Sequence, residues 1–123
     1  MDTPTDSKAS LIIVEKYENF FNYLYPMLIN TSRQHRILRD VALAALLNQY
    51  QLFRDAGKSN QISKLYLADA GMAYLRDLLR LLSHPDRRLI SRRQYEVASS
   101  HLAESGAILG AWIKTMQKRT HRD

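Results

Sequence analysis

The stretch AGKSNQISKLYLADAG, residues 56–71, decides how the rest of the chain folds, because it carries strong turn chemistry between two long helical patterns. The first pattern ends near Phe53, and Gly57 offers a left-handed position that closes a helix without a Cβ penalty. Ser59 is the expected cap of the next helix, since a serine hydroxyl accepts from the free N–H groups of a first turn. That helix is expected to begin at Asn60 and run towards Ser83, which makes a tight helical hairpin. From Asn60 to Ser83, 14 of 24 residues are apolar, more than one buried face needs. Leu65, Ala68, Met72, Leu75, Leu79 and Leu82 keep an a/d spacing for the core. Tyr66, Leu67, Ala70, Tyr74, Leu78 and Leu81 cover much of the remaining surface. A second apolar face predicts packing against another copy, with Tyr66, Leu67, Tyr74 and Leu78 at the contact.

Outward from the hairpin the pattern stays helical. Helix 1 is expected from about Ser10 to Asn30, with Ile13, Tyr17, Phe20, Leu24 and Met27 on one stripe. Pro26 lacks an N–H and crowds the carbonyl of Asn22, so a kink or a loose final turn is expected there. Ser32 is the expected cap of helix 2, roughly Arg33 to Ala56, whose stripe includes Leu38, Val41, Ala45, Leu52 and Phe53. Ser83, His84, Pro85 and Asp86 break the pattern after helix 3. Ser91 with Gln94 three residues on forms a capping box, and Tyr95, Ala98, Leu102, Ser105, Leu109, Trp112 and Met116 continue an a/d repeat. Four such helices with short connections predict a single all-α domain over residues 1–123, an antiparallel up-down-up-down four-helix bundle, with frayed ends at 1–9 and 119–123. Gly106 and Gly110, four apart on helix 4, each cost about 1 kcal/mol relative to alanine and predict a close helix approach, within the bundle or between subunits.

Composition narrows the chemistry. The absence of cysteine removes disulfides, thiolate catalysis and cysteine-based metal sites, and fits a reducing cytoplasm. The longest apolar runs fall far short of the roughly 20 residues that cross a bilayer, so no membrane span is expected. Residues 1–10 show no basic-then-apolar order, and no signal peptide is expected. Eighteen Lys and Arg against 12 Asp and Glu give a net charge of +6, which favours an anionic partner. In an up-down bundle the turns between helices 1 and 2 and between helices 3 and 4 share one end. Arg33, Arg36, Arg39, Arg76, Arg80, Arg87, Arg88, Arg92 and Arg93 fall near that end, and Lys8, Lys16, Lys58, Lys64, Lys114 and Lys118 towards the other. Guanidinium forks pair bidentately with phosphate and stack on bases, so the arginine end is the expected contact surface for nucleic acid or an acidic protein. Asp40, Asp77, Asp86 and Glu96 dilute it, in part through pairs such as Arg36 with Asp40.

Catalytic constellations do not emerge. Gly57-Lys58-Ser59 lacks the glycine five positions earlier and the preceding strand of a phosphate-binding loop. His35, His84, His101 and His121 show no ligand spacing and are expected to be solvated. Asp69 and Asp77 stand two helical turns apart, about 12 Å along the axis, too far to clamp two metal ions. No metal, no cofactor and no enzymatic activity are expected.

Four segments carry a resemblance: Ile13-Val14-Glu15-Lys16-Tyr17-Glu18, Tyr23-Leu24-Tyr25-Pro26, the whole of Ala56 to Gly71, and Ile108-Leu109-Gly110-Ala111-Trp112-Ile113. From about Ile13 to Lys118 the chain resembles the accessory variability proteins of diversity-generating retroelements, which are similar in fold to the four-helix proteins encoded in 23S ribosomal RNA intervening sequences. The resemblance implies a non-catalytic homopentameric barrel that associates with the element's reverse transcriptase and with nucleic acid, RNA and possibly DNA, during mutagenic retrohoming. It also implies that basic residues in an L-R-x-x-L-R pattern on helix 3, here Leu75-Arg76-Asp77-Leu78-Leu79-Arg80, belong to the contact surface. The other function class is a stand-alone RNA-binding or structural protein like the intervening-sequence relatives. A reverse transcriptase gene and paired repeats beside the gene would separate the two.

Overall fold

The structure, a computed structural model, describes residues 3–122, with side chains from Ala9 to Arg119. It consists of α1 (Thr3–Ile29), a 3-10 turn (Arg33–His35), α2 (Arg36–Ser59), α3 (Ile62–Ser83) and α4 (Arg92–Arg122), with no strand among the described residues. Each helix packs on two neighbours: α1 on α2 and α4, and α3 on α2 and α4. Every pair is antiparallel. Tyr17 meets Leu46 while Ser10 approaches Gly57, and Lys16 meets Glu104 while the more C-terminal Tyr23 meets the more N-terminal His101. The four-helix bundle expected from the periodicity is therefore present. α1 begins at Thr3 rather than near Ser10, and α4 continues to Arg122, so the described backbone is helical over most of the ends expected to be frayed, 1–9 and 119–123.

The core forms where apolar stripes meet. On α1, Ile13, Tyr17, Phe20 and Leu24 are buried as the spacing predicts, joined by Val14 and Leu28, while Met27 is only half-buried. On α3 all six a/d residues are buried, and so is Leu78. On α4 the repeat from Ala98 to Met116 is buried and Tyr95 half-buried. The stripe on α2 differs from the expected one. It is Ala42, Leu46, Gln49, Phe53 and Ala56, with Val41 left 41% exposed. The polar Gln49 occupies a core position because its Nε2 donates to the carbonyl of Ala68 across the α2–α3 seam, at 3.0 Å. Burial of an amide is tolerated when it is hydrogen-bonded.

Two tyrosines join α1 to α2. Tyr17 Oη donates to the carbonyl of Leu46 at 2.6 Å, and Tyr50 Oη donates to the carboxylate of Glu18. Burial raises the Tyr17 phenol well above its ordinary range, and the neighbouring Tyr50 adds to this. Tyr50 is pushed up to about 12, first by burial, then by its hydrogen bond to Glu18 and by that carboxylate's charge. Both hydroxyls therefore stay protonated as donors.

The punctuation between α2 and α3 departs from the sequence reading. Gly57 has no positive φ and lies inside the last turn of α2; Asn60, at φ 55°, takes the left-handed cap position instead. Asparagine tolerates that region better than most residues. Ser59 does not cap α3, which starts at Ile62 after an extended Gln61, and its hydroxyl makes no hydrogen bond among the described residues. Gly57 serves close approach: a Cβ there would collide with the Ser10 hydroxyl of α1. Ser32 likewise stands extended before the 3-10 turn without a side-chain cap bond. Pro26 sits inside the final turn of α1, and Asn30 Nδ2 donates to its carbonyl at 2.9 Å.

Candidate nucleic-acid interface

Consecutive helices of an up-down bundle bring the end of α1 beside the start of α4. A shallow hollow lined by Pro26, Met27, Asn30, Leu89 and Gln94 marks that junction, so the two turns do share one end. The segment between α3 and α4 is well fastened there. His84 O accepts from the N–H groups of Arg87 and Arg88 at 2.9 and 2.8 Å, and the fully buried Ile90 anchors the segment through its N–H to Leu82 O. The expected capping box then starts α4: Gln94 N–H donates to Ser91 Oγ at 3.0 Å, and Ser91 N–H donates to Gln94 Oε1 at 2.8 Å. These local bonds fix where Arg88 and Arg92 leave the backbone.

The arginines have different partners. Arg87 Nε donates to the carbonyl of Leu81 at 3.0 Å, so it closes the C-terminal end of α3, where a cation complements the helix dipole. Arg80 pairs with Asp77, Arg92 with Glu96 at 3.4 Å, and Arg39 with Asp40 at 3.0 Å. Asp40 thus pairs with Arg39 and not with Arg36. The remaining members of the set, Arg33, Arg36, Arg76, Arg88 and Arg93, have no carboxylate partner among the described residues. The pairs present are largely solvent-exposed and worth at most about 1 kcal/mol each, so they can exchange for a phosphate.

Four of these arginines line one groove. A concavity of about 510 Å³ lies between Arg80, Ser83, His84 and Pro85 on one side and Arg88, Arg92, Tyr95 and Glu96 on the other. A second of about 240 Å³ continues it along the α3–α4 seam past Arg76 and Ser99, and the two share Arg80 and Tyr95. Neither includes Arg33, Arg36 or Arg39, at the start of α2, nor Arg87 or Arg93. Bundle topology alone groups all nine at one end; the groove selects Arg76, Arg80, Arg88 and Arg92. It also adds Tyr95, which the heptad pattern assigns to the core, and His84. The lysines are less segregated than expected. Lys58 and Lys64 share a hollow at the opposite end, but Lys16 lies midway along α1 and reaches Glu104 at 3.7 Å. Lys8 lies outside the described side chains. His101, expected in solvent, is half-buried against the ring of Tyr23, with centroids 5.6 Å apart.

The residues assigned to subunit contacts divide. Tyr66, Leu67 and Tyr74 are exposed, at 47, 52 and 49%, whereas Leu78 is 4% exposed and belongs to the chain's own core. Leu78 faces inward because α3 meets both α2 and α4, which widens its buried arc. A Cβ at Gly106 would make an ordinary contact with Met72, and one at Gly110 would meet nothing within 4 Å. The close approach within the bundle is made instead by Gly57 and Gly71. Among the described residues no group of three or more His, Asp or Glu side chains could hold a metal ion, and no helix is long and apolar enough to cross a membrane.

These features define a small basic four-helix bundle protein with an arginine-lined groove at one end. Its family follows from a wider comparison: the model of the bAvd-like family matches residues 11–116, and the chain belongs to that family. It matches none of the curated proteins compared with it.

Proposed function

We propose that this chain is a non-catalytic accessory factor of a diversity-generating retroelement, which binds the element's reverse transcriptase and nucleic acid through its arginine end. The observation that carries this reading, beside family membership, is the convergence of Arg76, Arg80, Arg88 and Arg92 on one groove in a chain of net charge +6. Such a surface supplies positioning and charge neutralisation for a partner enzyme. The protein acts in the cytoplasm without a cofactor.

Assembly as a homopentamer belongs to the same proposal. Tyr66, Leu67 and Tyr74 on α3, with Leu47 on α2, leave more large apolar surface in solvent than a small monomer needs. Repetition around a ring would join the arginine ends into one positive rim.

The test is co-purification with the reverse transcriptase encoded beside the gene. Wild-type protein is expected to retain the enzyme, and the Arg76→Ala, Arg80→Ala double variant to lose it while keeping its assembled mass by light scattering. Retention of RNA without any retention of the enzyme would favour a stand-alone RNA-binding protein.

A further inference from the structure

We infer that the α3–α4 groove is a subsite for one extended strand of nucleic acid, with Tyr95 as a platform for a base and Arg76, Arg80, Arg88 and Arg92 along the phosphates. This rests on the nucleic-acid part of the reading above and specifies the form of ligand that the groove takes. Two concavities in series, of about 510 and 240 Å³, form a channel of nucleotide size rather than the broad platform a duplex requires. Proteins that hold single strands combine a positive groove with aromatic rings on which bases stack, and Tyr95 lines both concavities with arginines on each side. Arg76 and Arg80 stand one turn apart on α3, about 6 Å along the axis, a distance that suits successive phosphates of an extended strand.

Arg88 has a left-handed φ of 47°, a conformation that only Asn60 shares among the described non-glycine residues. Glycine would fill such a position without strain, and a strained residue persists where its side chain has work to do. Arg88 has no carboxylate partner among the described residues, lines the larger concavity and is exposed at its rim. Glu96 is the one carboxylate in that lining, and its pairing with Arg92 at 3.4 Å can give way to a phosphate.

The test is fluorescence anisotropy of the intact protein with labelled 15-nucleotide oligo(A), as RNA and as DNA, against a labelled duplex of equal length and over a series of salt concentrations. Because the groove reads phosphate and ring face, RNA and DNA strands are expected to bind comparably, and both more tightly than the duplex. Arg88→Gly relieves the backbone strain, so it should preserve or raise the melting temperature while single-strand affinity falls roughly tenfold. Replacing Arg88 and Arg92 together should lower the salt slope by about 1.4, at roughly 0.7 for each phosphate no longer neutralised. Tyr95→Phe should retain binding and Tyr95→Leu should lose about five- to tenfold for single strands only. Equal binding of strand and duplex, or unchanged single-strand affinity in both Arg88→Gly and a folded Tyr95→Leu, would overturn the subsite. If Arg76→Ala with Arg80→Ala still abolished binding in that case, these two arginines would belong to a general basic surface and not to a single-strand subsite with Arg88 and Tyr95. If no variant affected binding, the arginine end itself would be wrong.

Discussion

The two seams that flank α3 are closed in opposite ways. Against α2, Gly71 lets the backbones approach until a Cβ would collide with the amide of Gln49 and come within 2.9 Å of Leu52 Cδ1. The same Gln49 is tied to Ala68 O, so at this level the seam is filled and fixed by a buried polar bond. Against α4, Gly106 and Gly110 leave space, and the seam opens at its arginine end into the groove. One helix thus has a locked side and an open side. Glycine in a helix is informative only through what stands opposite it: the locked seam specifies the bundle, and the open one is free to receive something else.

The largest effect is expected at Gly71. Gly71→Val places branched carbons where Gln49 and Leu52 already stand, and Gln49 cannot swing away without abandoning its bond to Ala68 O. Overpacking and loss of that buried hydrogen bond together are expected to cost about 3 kcal/mol. Thermal unfolding followed by circular dichroism should show a melting temperature lower by roughly 10 °C. A variant as stable as wild type would mean that the α2–α3 seam is not closed as described.

Gln49→Ala comes next, at about 2 kcal/mol, for the broken hydrogen bond and the space left behind. Combined with Gly71→Ala its effect should be less than additive, because the new Cβ of residue 71 enters volume vacated by the glutamine. A double-mutant cycle in urea measures that coupling. Strict additivity would remove the link between the two residues.

What the sequence makes legible follows the range of the interactions involved. The Ser91–Gln94 capping box and the a/d stripes of α3 and of α4 from Ala98 onward depend on neighbours one or two turns away and stand as read, while Tyr95 at the head of the α4 stripe is only half-buried. Ser91→Ala should accordingly cost about 1 kcal/mol and shift hydrogen exchange chiefly in the first turn of α4. Gly57 misleads in sequence because its requirement comes from Ser10 on another helix, while Asn60 is equally able to take the left-handed cap. The α2 stripe is misphased in sequence because Gln49, polar by type, acts as a core residue only with Ala68 O opposite. At the groove the arginines are legible as a set, but their division is not. Arg87 turns to a helix end and Arg88 to the concavity through the conformation of a non-repetitive segment, which periodicity does not encode.

The smallest effect on the single chain, with the opposite sign, is expected at Gly110. Nothing lies within 4 Å of the Cβ that alanine would add, so within the chain Gly110→Ala should only gain helix propensity, at most about 1 kcal/mol. That gain belongs to a chain considered alone. If α4 approaches a helix of a second copy at Gly110, the added methyl group stands in the contact and weakens it. Two measurements separate these effects: urea unfolding at low protein concentration reads the chain, and light scattering at micromolar concentration reads the assembly. The expected result is a chain no less stable than wild type whose mass falls towards 14.3 kDa. An unchanged oligomeric mass would move the subunit contact away from α4 and leave Tyr66, Leu67 and Tyr74 on α3 to carry it.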